Sequence, residues 1–285
     1  MKIEFMLTWM LRLFARLPLP LIHAAGVVVG WGTYFGVGRY ARRTRLNLAA
    51  SGVASDPKQF RRILRRNIAE SGKGMLESFA IWLRPQSEVV RWVRACHGWE
   101  HVEAALQQQR GIIFLTPHLG CFEITSQYYS VRHPISVLYR PPRQAWLVSL
   151  IEAGRQRGLT TLAPTSLKGV RNLLKTLKQG EAVGILPDQN PGRGEGEWAD
   201  FFGRPAYTMT LVSRLAEATD AIVLLAYGER LSWGRGYVVH FEPFAAKPEP
   251  AAINAAIEQL VRRKPEQYLW SYPRHRVPKG VPPPA

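Results

Sequence analysis

Ile112-Ile-Phe-Leu-Thr-Pro-His-Leu-Gly-Cys-Phe-Glu123 is the stretch on which the architecture turns. Its first five residues, Ile112–Thr116, form a short apolar run of strand length. Pro117 and Gly120 then break the pattern, and a helical stretch, Glu123–Arg132, follows. The texture continues outward. Ile135–Tyr139, Leu159–Leu162, Ala182–Pro187, Ala221–Tyr227 and Tyr237–Phe241 read as strands, and Arg143–Arg157, Leu167–Gln179 and Thr208–Thr219 as helices between them. This alternation predicts an α/β domain, a mixed sheet flanked by helices. Open α/β sheets place their sites outside the C-terminal ends of strands, which is where residues 116–123 fall.

The N-terminal quarter is different. The chain carries 38 Lys+Arg against 21 Asp+Glu, a net charge of +17, and +10 of that lies in residues 1–66. Such an excess points to a polyanion: nucleic acid, an anionic membrane surface or an acidic carrier protein. The same quarter holds the longest uncharged run, Leu17–Gly38, bounded by Arg16 and Arg39. Its 22 residues could cross a hydrocarbon core of about 30 Å, although Pro18, Pro20, His23 and five glycines interrupt it. Phe5, Met6, Trp9, Met10, Leu13 and Phe14 precede it at helical spacing with Arg12 and Arg16 alongside, the pattern of an interfacial helix. Residues 1–45 are therefore expected to anchor the chain to a membrane, as a transmembrane helix or lying in the surface. The alternatives are a buried hairpin and a signal peptide, and the latter lacks a small-x-small cleavage site. Arg39, Arg42, Arg43 and Arg45 follow the run and would place the remainder in the cytoplasm if it spans. Asp56-Pro57 opens a further helix, Asp as N-cap and Pro at the first position, expected to run to Leu83 before Arg84-Pro85. Residues 46–276 are expected to form the α/β domain, and 277–285 a flexible tail. Two cysteines, Cys96 and Cys121, exclude a disulfide scaffold.

Four features carry possible chemistry. His118 and Glu123, five apart, would lie about 140° from each other on a regular helix. They meet only if His118 stays in the loop and Glu123 enters the first turn. A carboxylate on one imidazole nitrogen leaves the other free as a general base; otherwise the stretch is an ordinary strand–loop–helix join. Arg140, at a strand end, and Arg155, late in the next helix, are candidates for paired hydrogen bonds to phosphate. Pro187-Asp-Gln-Asn-Pro-Gly-Arg-Gly-Glu-Gly196 is Gly-rich but lacks the Lys-Ser/Thr ending of a nucleotide loop. Its Asp188, just past a strand end, is a candidate site residue that could orient Arg155 or hold the site together. Cys121, three residues from His118, could be a nucleophile. No His-x3-His or Cys-x2-Cys spacing points to a metal.

The motif His118-Leu-Gly-Cys-Phe-Glu123 resembles the His-x4-Asp/Glu of membrane acyltransferases. More closely it resembles the late lipid A acyltransferases of lauroyl/myristoyl type, which usually read His-Phe-Gly-Asn-Trp-Glu. Further blocks follow in that family's order: Leu138-Tyr-Arg-Pro141; Leu186-Pro-Asp-Gln-Asn190 with Phe201-Phe-Gly-Arg-Pro-Ala206 and Thr208; and Pro265-Glu-Gln-Tyr-Leu-Trp270 with Arg274. The resemblance spans nearly the whole chain. Cys121 and Phe122 stand where Asn and Trp are usual, and Ser271-Tyr-Pro-Arg-His-Arg276 differs from the usual ending. These departures bear on acceptor and chain length, not on the reaction type.

The resemblance implies acyl transfer from an acyl-acyl-carrier-protein to a hydroxyl of a lipid A precursor. His118 and Glu123 would be catalytic, and Arg140, Arg155 and Asp188 would face a phosphorylated glycolipid. It further implies the inner membrane, with the domain on the cytoplasmic face, direct transfer without an acyl-cysteine, and no cofactor. Another glycolipid or phospholipid acceptor is the alternative within the class. A basic, membrane-tethered nucleic-acid-binding module is the alternative outside it, but no nucleic-acid motif is present.

Overall fold

A computed structural model describes residues 2–142 and 144–284. The side chain of Phe5 and the start of the Arg143–Arg157 helix reading lie outside what is described. Seven strands form one sheet: β1 (Val93–His97), β2 (Ile112–Leu115), β3 (Ile135–Tyr139), β4 (Thr160–Pro164), β5 (Ala182–Ile185), β8 (Ile222–Arg230) and β9 (Tyr237–Pro243). Their order is β1-β9-β8-β2-β5-β3-β4; only β8–β9 is antiparallel. A second, two-stranded antiparallel sheet pairs β6 (Gly196–Phe201) with β7 (Arg204–Met209).

The central strands are apolar along their whole length because both faces are covered. Ile112 and Phe114 pack with Ile124, Tyr129 and Phe241 on one side. Ile113 and Leu115 pack with Leu173, Leu177 and Ile257 on the other. The helices alternate with the strands as expected: α7 (Phe122–Tyr129), α8 (Ala145–Arg155), α9 (Leu167–Lys178), α10 (Leu211–Thr219) and α11 (Pro250–Arg263), while α5 (Gln86–Val90) and α6 (Trp99–Gln107) flank β1. One expected helix start is corrected. Thr208 belongs to β7, because Phe202 and Gly203 turn the chain with positive φ and return it as a hairpin. Thr208 is then buried as a hydrogen-bond partner of Asn254 and Arg274. In the segment expected to be a flexible tail, Val281 is buried and the Trp198 indole donates to the Pro282 carbonyl at 3.0 Å.

The N-terminal part is helical throughout: α1 (Lys2–Ala15), α2 (Leu19–Gly36), α3 (Gly38–Ala50) and α4 (Pro57–Leu83). The Asp56 cap forms, its carboxylate accepting from the Lys58 and Gln59 amides at 2.7 and 2.9 Å. The helices α2 and α4 lie in backbone contact. A Cβ on Gly26 would fall 2.6 Å from the Lys73 Cα, and one on Gly30 or Gly72 would meet the facing main chain. Two of the five glycines of the uncharged run, Gly26 and Gly30, are thus what lets α2 sit on α4.

Beneath this contact lies a charged cluster. Glu77 and Arg230 are each almost wholly buried and form a two-pronged ion pair. His23 of α2 reaches Glu77 at 2.9 Å, the Tyr237 hydroxyl donates to Glu77 at 2.9 Å, and Arg230 also reaches Glu70 at 2.8 Å. Burial alone would raise the Glu77 carboxyl, but the guanidinium of Arg230, helped by His23, holds it well below the usual carboxylate range.

Candidate active site

The loop between β2 and α7 is held from both sides. The Gly120 amide donates to the Gln267 carbonyl at 3.0 Å, the Cys121 amide to Gly228 at 2.7 Å, and the Leu269 amide to the His118 carbonyl at 3.1 Å. Gly120 has φ +62°, and a Cβ there would strike the Gly228 carbonyl, so this position requires glycine. Arg230, from the buried cluster, donates to the Gly120 carbonyl at 3.1 Å.

His118 sits at the crest of this loop, largely buried, and its partner is Asp188. The Asp188 carboxylate accepts the His118 main-chain N–H at 2.9 Å and meets Nδ1 at 2.8 Å. Asp188 is 2% exposed. Burial pushes its carboxyl up, yet the His118 charge and the two hydrogen bonds outweigh that and lower it. A carboxylate at Nδ1 fixes that nitrogen as the protonated one and turns the Nε2 lone pair outward. Nε2 faces the Gln189 amide nitrogen at 3.2 Å, and Gln189 is exposed. The Tyr272 ring lies parallel to the imidazole at 6.4 Å, with Phe122 at 4.9 Å.

The sequence expectation put Glu123 on the imidazole and Arg155 on a phosphate. The geometry pairs those two residues with each other instead. Arg155 donates from Nε to both Glu123 oxygens at 3.1 Å, and from Nη2 to Oε1. The guanidinium stacks near Trp82 and Tyr139, at 5.7 and 5.5 Å. Glu123 is 4% exposed because it starts α7 facing inward, so its carboxylate needs a cation and finds one on α8. Asp188 is likewise buried, its carboxylate on the His118 main chain and imidazole. Arg140 remains exposed, and its charge acts on the Tyr272 hydroxyl, which burial raises and the Asn190 amide lowers.

Three residues outside the expected site set support it. Asn190 fastens the segment after Asp188: its amide donates to the Tyr272 hydroxyl at 2.9 Å and its side chain to the Pro273 carbonyl at 3.0 Å. Arg274, 3% exposed, donates to Asn190 Oδ1, the Tyr207 carbonyl and Thr208 at 3.0, 2.6 and 2.6 Å. Gln189 stands at Nε2 of His118. The C-terminal block around Arg274 therefore clamps the Asp188 loop.

His118 borders a cleft of about 350 Å³, also lined by Phe122, Glu123, Met75 and, from the N-terminal helices, Gly30, Thr33 and Tyr40. That volume falls in the range of small-ligand sites. The uncharged N-terminal helix thus builds a wall of the cleft that holds the histidine.

Cys121 is buried at the N-terminus of α7, and burial together with the Glu77 carboxylate raises its thiol well above the usual range. A protonated, enclosed thiol is a poor nucleophile. Cys121→Ala is expected to keep substantial activity. Recovery of a labelled acyl group on Cys121, with loss of turnover in the alanine variant, would contradict this.

An imidazole held at one nitrogen by a buried carboxylate, on a residue that lines a cleft at the strand ends, lies where open α/β enzymes place their sites. A model of the bacterial lipid A biosynthesis acyltransferases matches residues 2–277, and the chain belongs to that family. Among its relatives is the lipid A biosynthesis lauroyltransferase of Escherichia coli K12, 26% identical over 98% of this chain and 94% of that protein. The lipid A biosynthesis palmitoleoyltransferase of the same organism is 26% identical over 96% and 92%. A lipid A biosynthesis acyltransferase of Haemophilus influenzae is 25% identical over 92% and 86%. The chain is an O-acyltransferase of this family.

Proposed function

We propose that the protein transfers a fatty acyl chain from an acyl-acyl-carrier-protein to a hydroxyl of a lipid A precursor at the inner membrane. The observation that carries the mechanism is the two-point hold of Asp188 on His118. With Nδ1–H donated to Asp188, Nε2 accepts the proton of an acceptor hydroxyl that has displaced the Gln189 amide. The freed oxygen attacks the thioester carbonyl carbon. The new C–O bond forms, the C–S bond breaks, and the proton on Nε2 passes to the departing sulfur, which leaves as the thiol. Asp188 stabilises the imidazolium between the two proton transfers, as a buried carboxylate does for a catalytic histidine.

Glu123 enters this reading as the partner of Arg155. The pair braces the first turn of α7 against α8, and since Glu123 also lines the cleft of His118, it keeps that wall in place. Arg140, exposed beside Tyr272, is the side chain placed to meet an acceptor phosphate. An acyl-carrier protein is acidic, and the net charge of +17 suits its docking. An acyl-carrier-protein donor is a cytoplasmic protein, and its use sets the catalytic domain on the cytoplasmic face.

The test is acyl transfer by purified full-length protein in mixed micelles. The acceptor is a phosphorylated, 3-hydroxyacylated glucosamine disaccharide, and the donor an acyl-carrier-protein thioester or the matching acyl-coenzyme A. Efficient, hydroxyl-dependent transfer from the carrier protein is expected. Transfer to phospholipid acceptors with none to the disaccharide would replace the acceptor; equal use of both thioesters would remove the carrier-docking role.

A further inference from the structure

Helices α1 and α2 each bury one face and leave the opposite face uncovered. In α2, Leu19, Ile22, His23, Gly26 and Gly30 face the domain. Leu21, Val28 and Phe35, seven residues apart and therefore in one line, are 54, 72 and 76% exposed. In α1, Leu11 and Phe14 pack on Leu76, Phe79 and Leu83 of α4. Met6, Trp9, Met10 and Leu13 form the uncovered stripe. Trp233, 86% exposed at φ +63°, joins them, because Gly234 packs on Pro20 at the start of α2. A contiguous exposed apolar stripe of this kind marks a membrane or protein contact.

We infer that α2 does not cross the bilayer but lies in the plane of its surface, the uncovered stripes of α1 and α2 sunk among the acyl chains of an anionic leaflet. Three observations fix the orientation. At 18 residues, about 27 Å, α2 has the length to cross. Yet it is joined to α4 by backbone contact at Gly26, Gly30 and Gly72, and by His23 to the buried Glu77–Arg230 pair. To cross, it would draw into hydrocarbon a helix whose Arg61, Arg62, Arg65 and Arg66 are exposed. The exposed Arg12 and Arg16 flank the α1 stripe, and Arg39, Arg42 and Arg45 follow α2, charge complementary to anionic headgroups.

The orientation deepens the proposed function and rests on it. Gly30, Thr33 and Tyr40 line the cleft of His118, so a helix lying in the interface brings that cleft to headgroup depth. A glycolipid acceptor then reaches Nε2 without leaving its leaflet.

The test uses full-length protein in vesicles of phosphatidylethanolamine and phosphatidylglycerol. Leu21→Cys, Val28→Cys and Phe35→Cys are each made on a Cys96→Ser background, where the remaining Cys121 is buried. Each carries an environment-sensitive fluorophore, quenched by lipids bearing a nitroxide near the headgroup or near the chain end. The expected result is one common shallow depth, about 5–10 Å below the headgroup boundary, for all three. A crossing helix would separate Leu21 from Phe35 by about 21 Å, with Val28 deepest, and would overturn the inference. Absence of quenching by either lipid, with a concentration-dependent dimer, would overturn it in favour of a second copy covering the face. Arg12→Gln with Arg16→Gln should lower partitioning about 30-fold on anionic vesicles and little on zwitterionic ones; an equal loss on both would remove the electrostatic part. Acyl transfer is measured on the same samples. Shallow depths without transfer would sink the functional reading alone, and transfer with a crossing helix the orientation alone.

Discussion

Asp188→Asn is expected to cost as much acyl transfer as His118→Ala, on the order of 10²–10⁴-fold, the usual contribution of a general base. The reason is geometric. Asp188 accepts two N–H groups at once, the His118 main chain and Nδ1. An asparagine offers one oxygen and one NH₂, so either a buried amide loses its acceptor or the imidazole changes tautomer and protonates Nε2. The second outcome abolishes the base while leaving size and fold intact. The double variant should be no worse than His118→Ala, since the two residues act as a unit. Glu123→Gln should lose less, because a glutamine oxygen still accepts from Arg155. Steady-state transfer by matched amounts of folded protein decides the assignment. Near wild-type turnover by Asp188→Asn, with Glu123→Gln as damaged as His118→Ala, would return Glu123 to the imidazole.

The difference between those two carboxylates shows where the sequence stops being legible. The strand, the broken loop and the helix of residues 112–129 are written in local pattern, and so are the Asp56 cap and the apolar stripe of α1. His118 follows from them. Its partner does not, because Asp188 is 70 residues away and reaches it only through the parallel pairing of β2 with β5. Register is the missing quantity. Leu115 pairs with Ile185, so His118 and Asp188 each stand three residues beyond a paired strand end. That equal spacing is the signal available in the sequence, once the two strands are assumed to be neighbours. Glu123 and Arg155 meet for a similar reason, through the packing of two helices that no spacing along the chain encodes. The strand reading omits β1, whose Val93–His97 is half-buried and carries an arginine, and also β6 and β7, so that it takes Thr208 of β7 for a helix start; their hairpin is set by a turn at Phe202-Gly203. Gly26 and Gly30 of α2, among the glycines that weaken a membrane-crossing reading of the sequence, prove to be its contact points on α4.

The second large effect belongs to the buried cluster. Removing one member leaves a buried charge without its partner, which typically costs about 3–5 kcal/mol. Glu77→Gln keeps the shape and one acceptor but leaves Arg230 facing a neutral amide, with Glu70 as its remaining anion. Its urea midpoint in detergent should fall accordingly, and the sign of the pH dependence follows from the depressed Glu77 carboxyl. The charge of Glu77 stabilises the fold fully above its ordinary value of 4.5. The advantage of wild type over Glu77→Gln should therefore be constant above that pH and shrink as pH falls below it, where the unfolded carboxylate takes up a proton that the folded one resists. Arg230→Met should destabilise by a similar amount, and joining it to Glu77→Leu should cost less than the two separately, because no lone charge is then left inside. A stability gap that stayed constant through acid pH, or strictly additive losses, would show that the pair is not coupled. The cluster also bears on catalysis. Arg230 holds the Gly120 carbonyl, His23 fastens α2, and both border the loop and wall that frame His118. Variants still folded under assay conditions should therefore transfer acyl groups more slowly than wild type, with the loss partly restored in Arg230→Lys, which keeps the charge but not the fork.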